Sequence, residues 1–166
     1  MQYFASYLAA INVIEEESMK QDDWQSCLSN EISNRTIVVH ESDKPWFKTL
    51  THRFPVSSSG ICWEQVPGAK FCSAWAPNIS TIDMQARILE FFMQFGKAAS
   101  LTDEDTCIVI GDITTSIAIE VSYKVLLTVL LKLVTEPQSL YVIVKNGDWC
   151  FVYTFEDYMY FAKSPQ

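Results

Sequence analysis

The stretch Thr115–Thr135, TSIAIEVSYKVLLTVLLKLVT, constrains this chain more than any other. It is the most apolar run, and its polar residues are regularly spaced. Ser116, Glu120, Lys124, Thr128, Lys132 and, just beyond, Glu136 recur every four positions. Four-residue spacing keeps side chains on one side of a helix. The run therefore predicts one long helix with a thin polar stripe and apolar residues around the rest of its circumference. Such a helix is buried in a domain core or set in a membrane. Two lysines and a glutamate within it oppose a membrane span, because ionised groups are costly at mid-bilayer. The expectation is a central buried helix. Ile119, Val121, Val125, Leu126, Leu130 and Leu133 face inward, and Glu120 pairs with Lys124 at the favourable i,i+4 spacing.

The rest of the chain alternates helical and strand signals. Phe4, Tyr7, Leu8, Ile11 and Ile14 have helical spacing over Tyr3 to Ser18, and this N-terminal segment lacks the basic region and cleavage site of a signal peptide. Gln21 to Asn34 is polar and reads as a loop or short helix. Arg35 to Glu41 is a β-branched strand candidate. Trp46 to Pro55 has a helical face in Phe47, Leu50 and Phe54. Ile61–Val66 and Ala69–Trp75 flank Pro67-Gly68 and predict a hairpin carrying Trp63, Phe71 and Trp75. Asn78 to Phe95 predicts a second amphipathic helix. Ser80 and Asp83 resemble a capping box, Met84, Ile88, Phe91, Phe92 and Phe95 form its apolar face, and Gly96 is a plausible terminator. Leu101–Asp105 is an acidic loop, and Thr106–Ile110 a strand covered on both faces. Ser139–Lys145 and Trp149–Phe155 flank Asn146-Gly147, the best hairpin signal in the chain. Glu156–Ala162 reads as a short terminal helix with Tyr158 and Phe161 inward. The order predicts one α+β domain over residues 1–166: a mostly antiparallel sheet with hairpins, packed against the long central helix and the second amphipathic one.

Composition narrows the classes of function. With 49% hydrophobic residues the chain can build a core, and 166 residues can bury about 70% of the unfolded surface without staples. Twenty acids against twelve bases give a net charge of −8, which disfavours nucleic acid and anionic membrane as partners and suits a basic protein. The five cysteines, Cys27, Cys62, Cys72, Cys107 and Cys150, show no CxxC spacing and fit reduced thiols in a cytoplasmic protein; one bridge between Cys62 and Cys72 remains open.

Catalytic and cofactor signals are weak. His40 and His52 have no spacing that supports a Cys–His nucleophile or a zinc site with Cys62 and Cys72. No GxGxxG or Walker loop cradles a phosphate. Asp103, Glu104 and Asp105 read as solvated loop charge before metal ligands. Asp112, between a buried strand and the central helix, stands where many α/β enzymes keep functional groups, or simply starts that helix. These residues give no catalytic site, no cofactor and no metal. Aromatics say more. Trp24, Trp46 and Trp149 lie beside turn signals and acids, Asp22-Asp23, Asp43 and Asp148. Exposed tryptophan flanked by carboxylates suits an interface for a basic partner, and packing over the sheet edge is the alternative. The candidate partner-binding residues are Asp22, Asp23, Trp24, Asp103, Glu104, Asp105 and Trp149, with Trp24 as the anchor.

This profile resembles the immunity proteins of bacterial polymorphic toxin systems, including contact-dependent growth inhibition. Asn146-Gly147-Asp148-Trp149, Phe151-Val152-Tyr153 and Glu156-Asp157-Tyr158 are similar in style to the terminal hairpin of several such families. The resemblance implies a non-enzymatic cytoplasmic protein that binds and blocks one cognate toxin, here a basic and nuclease-like one. The alternatives are an acidic chaperone or adaptor for a secreted protein, and a small enzyme using Asp112 or a cysteine.

Overall fold

The computed structural model describes residues 22–58, 60–112, 116–135 and 138–166, without the side chains of Asp22 and Asp23. The N-terminal helix expected over Tyr3–Ser18 lies outside the described residues.

Its centre is an antiparallel sheet rather than a helix. In chain order the elements are α1 (Asp22–Cys27), α2 (Ser29–Ser33), β1 (Ile37–His40), α3 (Lys44–Arg53), β2 (Val56–Ser57), β3 (Gly60–Ile61), a 3₁₀ turn (Trp63–Gln65), β4 (Lys70–Ser73), α4 (Thr81–Ala98), β5 (Thr106–Gly111), β6 (Ala118–Ser122), α5 (Tyr123–Leu133), β7 (Leu140–Val144), a 3₁₀ turn (Lys145–Gly147), β8 (Trp149–Tyr153) and β9 (Tyr158–Lys163). Seven strands form one sheet in the order β1-β6-β5-β7-β8-β9-β4, every pair antiparallel, and β2-β3 make a small separate hairpin. The α+β class with a mostly antiparallel sheet and helices packed on it is as expected.

The run Thr115–Thr135 divides. Ala118–Ser122 is strand β6, paired with β1 and β5, and only Tyr123–Leu133 is helical. Ser122 makes the break: its backbone is extended and its hydroxyl accepts the Val125 N–H at 3.4 Å as an N-cap. The expected Glu120–Lys124 pair is therefore absent. Glu120 instead meets His40 Nε2 at 2.9 Å, and Lys124 lies 3.9 Å from Asp103. Ile119 and Val121 are still buried, by strand alternation, as are Leu126, Leu130 and Leu133; Val125 is half-buried.

Two other segments differ. The hairpin expected around Pro67-Gly68 does not form. Gly68 turns the chain at φ 73°, but the residues before it make a 3₁₀ turn, and β4 pairs with the distant β9. Tyr158–Lys163 is β9 and not a terminal helix. Tyr158, Tyr160 and Ala162 alternate with Met159 and Phe161 across the sheet. The Asn146-Gly147 hairpin forms as expected, with Lys145, Asn146 and Gly147 all at positive φ. In α4, Ser80 caps the Asp83 N–H at 3.1 Å, and Ile88, Phe91, Phe92 and Phe95 are buried. Gly96 lies inside α4, which runs on to Ala98.

Strand alternation gives the sheet two apolar faces, and both are covered. Val109, Ile119, Val121, Val142, Phe151 and Phe161 meet α4 and α5 on one side. Ile110, Ala118, Tyr141, Ile143, Cys150, Val152 and Ala162 meet Leu50, Phe54, Ile61 and Val66 on the other. The second cover is thinner, one helix and an irregular arm, and this leaves concave surface beside it.

Candidate functional site: an acidic aromatic groove

A groove of about 980 Å³ runs along the second face, between the α3 arm and the β8–β9 turn. Its position follows from the register. Tyr141 on β7, Val152 on β8 and Tyr160 on β9 sit in one cross-strand row, so their side chains share this face. On one side α3 packs through Leu50 and Phe47, whose ring meets Tyr141 edge-on at 6.0 Å. The arm then turns at β2–β3. Gly60 has φ 106°, and a Cβ there would lie 2.9 Å from the Tyr141 hydroxyl, so this position calls for glycine twice over. The arm next delivers Trp63, which stacks on Tyr160 with centroids 5.1 Å apart and planes 5° from parallel.

The rings continue past this pair. Phe71 on β4 lies 5.1 Å from Tyr160 and 5.7 Å from Tyr158, while Phe54 sits 6.3 Å behind Trp63. The row runs from a fully buried ring, Phe54, to Phe71, which is 59% exposed. The far wall is the turn Thr154–Asp157. Asp157 takes φ 63° and accepts the Tyr153 hydroxyl proton, and Thr154 Oγ1 accepts the Tyr158 N–H at 3.2 Å. These bonds hold the turn with Phe155 half-exposed and Glu156 exposed.

Three carboxylates line the groove: Glu64 from the 3₁₀ turn, Glu156 from the far turn and Asp112 from the end of β5. No lysine, arginine or histidine stands among the described lining residues. Asp112 is held to the start of β7: its Oδ1 accepts the Ser139 N–H at 2.9 Å. Burial, and then the charge of Asp112, push the Tyr141 phenol upward. Burial also raises Tyr160, and the charges of Tyr158, Glu156 and Glu64 add to the shift. The negative field and the ring faces coincide. No histidine or cysteine lines the groove among the described residues, so the lining holds no Cys–His or Ser–His pair of the kind that activates a nucleophile. It is suited to gripping a cation against aromatic surface.

A second cleft, of about 510 Å³, lies on the other side of α3, lined by Trp46, Asp105, Glu120 and Lys145 among others. His40 borders it through its 2.9 Å contact to Glu120 and packs on Trp46 at 4.7 Å. Lys145 stands among its acids, Asp105 and Glu120, which makes it the weaker candidate for a cation.

Among the described residues, those expected to form an interface fall in separate places. Trp24 is 1% exposed and belongs to the core, so it presents no anchor to a partner. Asp22 and Asp23 begin α1, and their side chains are outside the described residues. Trp149 is half-buried and packs against the α4–α5 core. The acidic loop caps α5: the Asp105 and Asp103 carbonyls accept the Tyr123 and Lys124 N–H groups at 2.8 and 3.1 Å. Asp105 also accepts from the Thr102 N–H and hydroxyl, which holds its carboxyl below the usual range. Asp103 and Asp105 thus complement a helix N-terminus, and Glu104 is exposed. Asp112 precedes a strand, not a helix, and its carboxylate joins the end of β5 to Ser139. Cys62 and Cys72 form no disulfide. Among the described residues no cluster of three His, Cys, Asp or Glu could hold a metal, and no helix is long and apolar enough to cross a membrane.

The chain matches no family model, no curated protein and no solved structure.

Proposed function

We propose that this chain is a non-enzymatic immunity protein that binds a cognate toxin domain of basic surface and neutralises it in the bacterial cytoplasm. The observation that supports this best is the groove, where three carboxylates and no base stand among exposed and half-buried rings. Aromatic residues in a concave, desolvated patch are the usual anchors of a protein interface. The net charge of −8 adds long-range attraction to a basic partner. The interface proposed is the face bounded by Trp63, Phe155, Tyr158 and Tyr160.

The test is protection. Cells carrying this chain are challenged with the toxic domain encoded beside its gene, and survival should depend on the chain. With purified components, association should slow as salt rises, because the screening length shrinks from about 30 Å at 0.01 M to about 8 Å at 0.15 M. Phe155→Ala should act mainly on dissociation, by about 2 kcal/mol if it is a hot spot. A chain that protects against no such toxin removes this reading.

A further inference from the structure

We propose that the groove takes an arginine-bearing segment of the partner, with a guanidinium lying over the Trp63–Tyr160–Phe71 rings between Glu64 and Glu156. The inference rests on the binding reading above and names what is bound. Charge selects a cation, since the described lining holds Glu64, Asp112 and Glu156 and no base. Ring geometry selects the type of cation. Trp63 and Tyr160 are parallel, and Phe71, just outside the groove lining, adjoins Tyr160 at 5.1 Å and is largely exposed. A guanidinium is planar and weakly hydrated, and it can stack on a ring while its edge donors reach carboxylates; an ammonium is compact, strongly hydrated and stacks less well. Glu64 comes from the arm and Glu156 from the far turn, and both line the groove with Tyr160. The groove's volume of about 980 Å³ far exceeds one guanidinium, so the occupant is a stretch of chain and not a free side chain analogue.

The intact protein is titrated by calorimetry with three short peptides that differ only at two positions: arginine, lysine or citrulline. The arginine peptide should bind about three- to tenfold tighter than the lysine one, and the citrulline peptide should not bind. Glu64→Gln with Glu156→Gln should weaken the arginine peptide by roughly three- to tenfold and flatten its salt dependence. Both side chains are exposed, so folding is spared, and an unchanged melting curve confirms it. Equal binding of arginine and lysine peptides refutes guanidinium recognition. Equal binding of citrulline refutes charge recognition, and indifference to both Glu→Gln changes refutes this groove as the site. A chain that protects cells yet binds all three peptides alike refutes the arginine site and leaves the inhibitor reading intact. Arginine-selective binding by a chain that protects nothing supports the site and refutes the inhibitor reading.

Discussion

Gly96→Ala should destabilise this protein although it replaces a glycine in a helix. In an exposed helix interior the change would stabilise by about 0.8–1 kcal/mol, because alanine has the better propensity. Gly96, however, is where α4 crosses α5. A Cβ there would fall inside the van der Waals surface of the Tyr123 hydroxyl and Cζ, and would lie 3.0 Å from Cε2. The ring would have to retreat by roughly 1 Å to reach ordinary contact distance. Tyr123 is buried at the first position of α5 and packs on Phe92 at 5.7 Å, so it cannot swing freely into water. Overpacking of this kind costs about 1–3 kcal/mol. Set against the propensity gain, a net loss of up to about 2 kcal/mol is expected. For a chain of this size that is a fall in Tm of up to roughly 8 °C by calorimetry or circular dichroism. Tyr123→Leu removes the obstructing atoms, so in that background Gly96→Ala should be neutral or stabilising. A single variant that melts at or above the parent temperature, or a loss that persists when Tyr123 is gone, would refute the crossing as the reason for glycine.

Leu126 is fully buried beneath the sheet; Leu126→Asp places an unpaired charge in the core and should cost several kcal/mol, read as loss of soluble folded protein or a collapsed Tm. Glu31 Oε1 holds Lys132 Nζ at 2.8 Å, and this bond lowers the Glu31 carboxyl. A depressed acid contributes stability above its unfolded pKa and loses it as pH falls through the folded value, so Glu31→Gln should cost up to about 1 kcal/mol at pH 7 and nothing at acid pH. Equal losses at pH 7 and pH 2.5 in urea melts would contradict the pairing. Burial raises the Cys107 thiol to about 12 and pushes Cys150 up as well; both should resist a thiol reagent until the protein unfolds, while half-buried Cys62 reacts in the native state. Rapid labelling of Cys150 in folded protein would overturn its placement in the sheet.

How far the fold was legible depended on how local its signals are. The α4 capping box, the Asn146-Gly147 hairpin and strand Thr106–Gly111 were all readable, because a few adjacent residues specify each one. The central run misled for an arithmetical reason. Four is a multiple of two, so polar residues at Ser116 and Glu120 lie on one side of a strand as readily as on one side of a helix. The discriminating signal was finer: Ile119 and Val121 alternate with Glu120 and Ser122, and Ser122 is a good N-cap. The same alternation in Tyr158–Lys163 was open to a helical reading through Tyr158 and Phe161.

The groove was not legible, and its chemistry explains why. Trp63, Glu64, Glu156 and Tyr160 share no motif in the chain, and the Trp63-Glu64 pair meets Glu156 and Tyr160 only because distant segments fold together. Adjacency in sequence favoured Trp24, which follows two acids, yet in the first turn of α1 its ring is buried in the core. Proximity of acids and aromatics along the chain is thus a poor guide here, because alternation sends neighbours to opposite faces. In β9, Tyr158 and Tyr160 enter the groove while Met159 and Phe161 enter the core. A strand of this kind serves stability with one face and recognition with the other. Substitutions at Tyr158 or Tyr160 should therefore separate binding from folding more cleanly than any change at Met159 or Phe161.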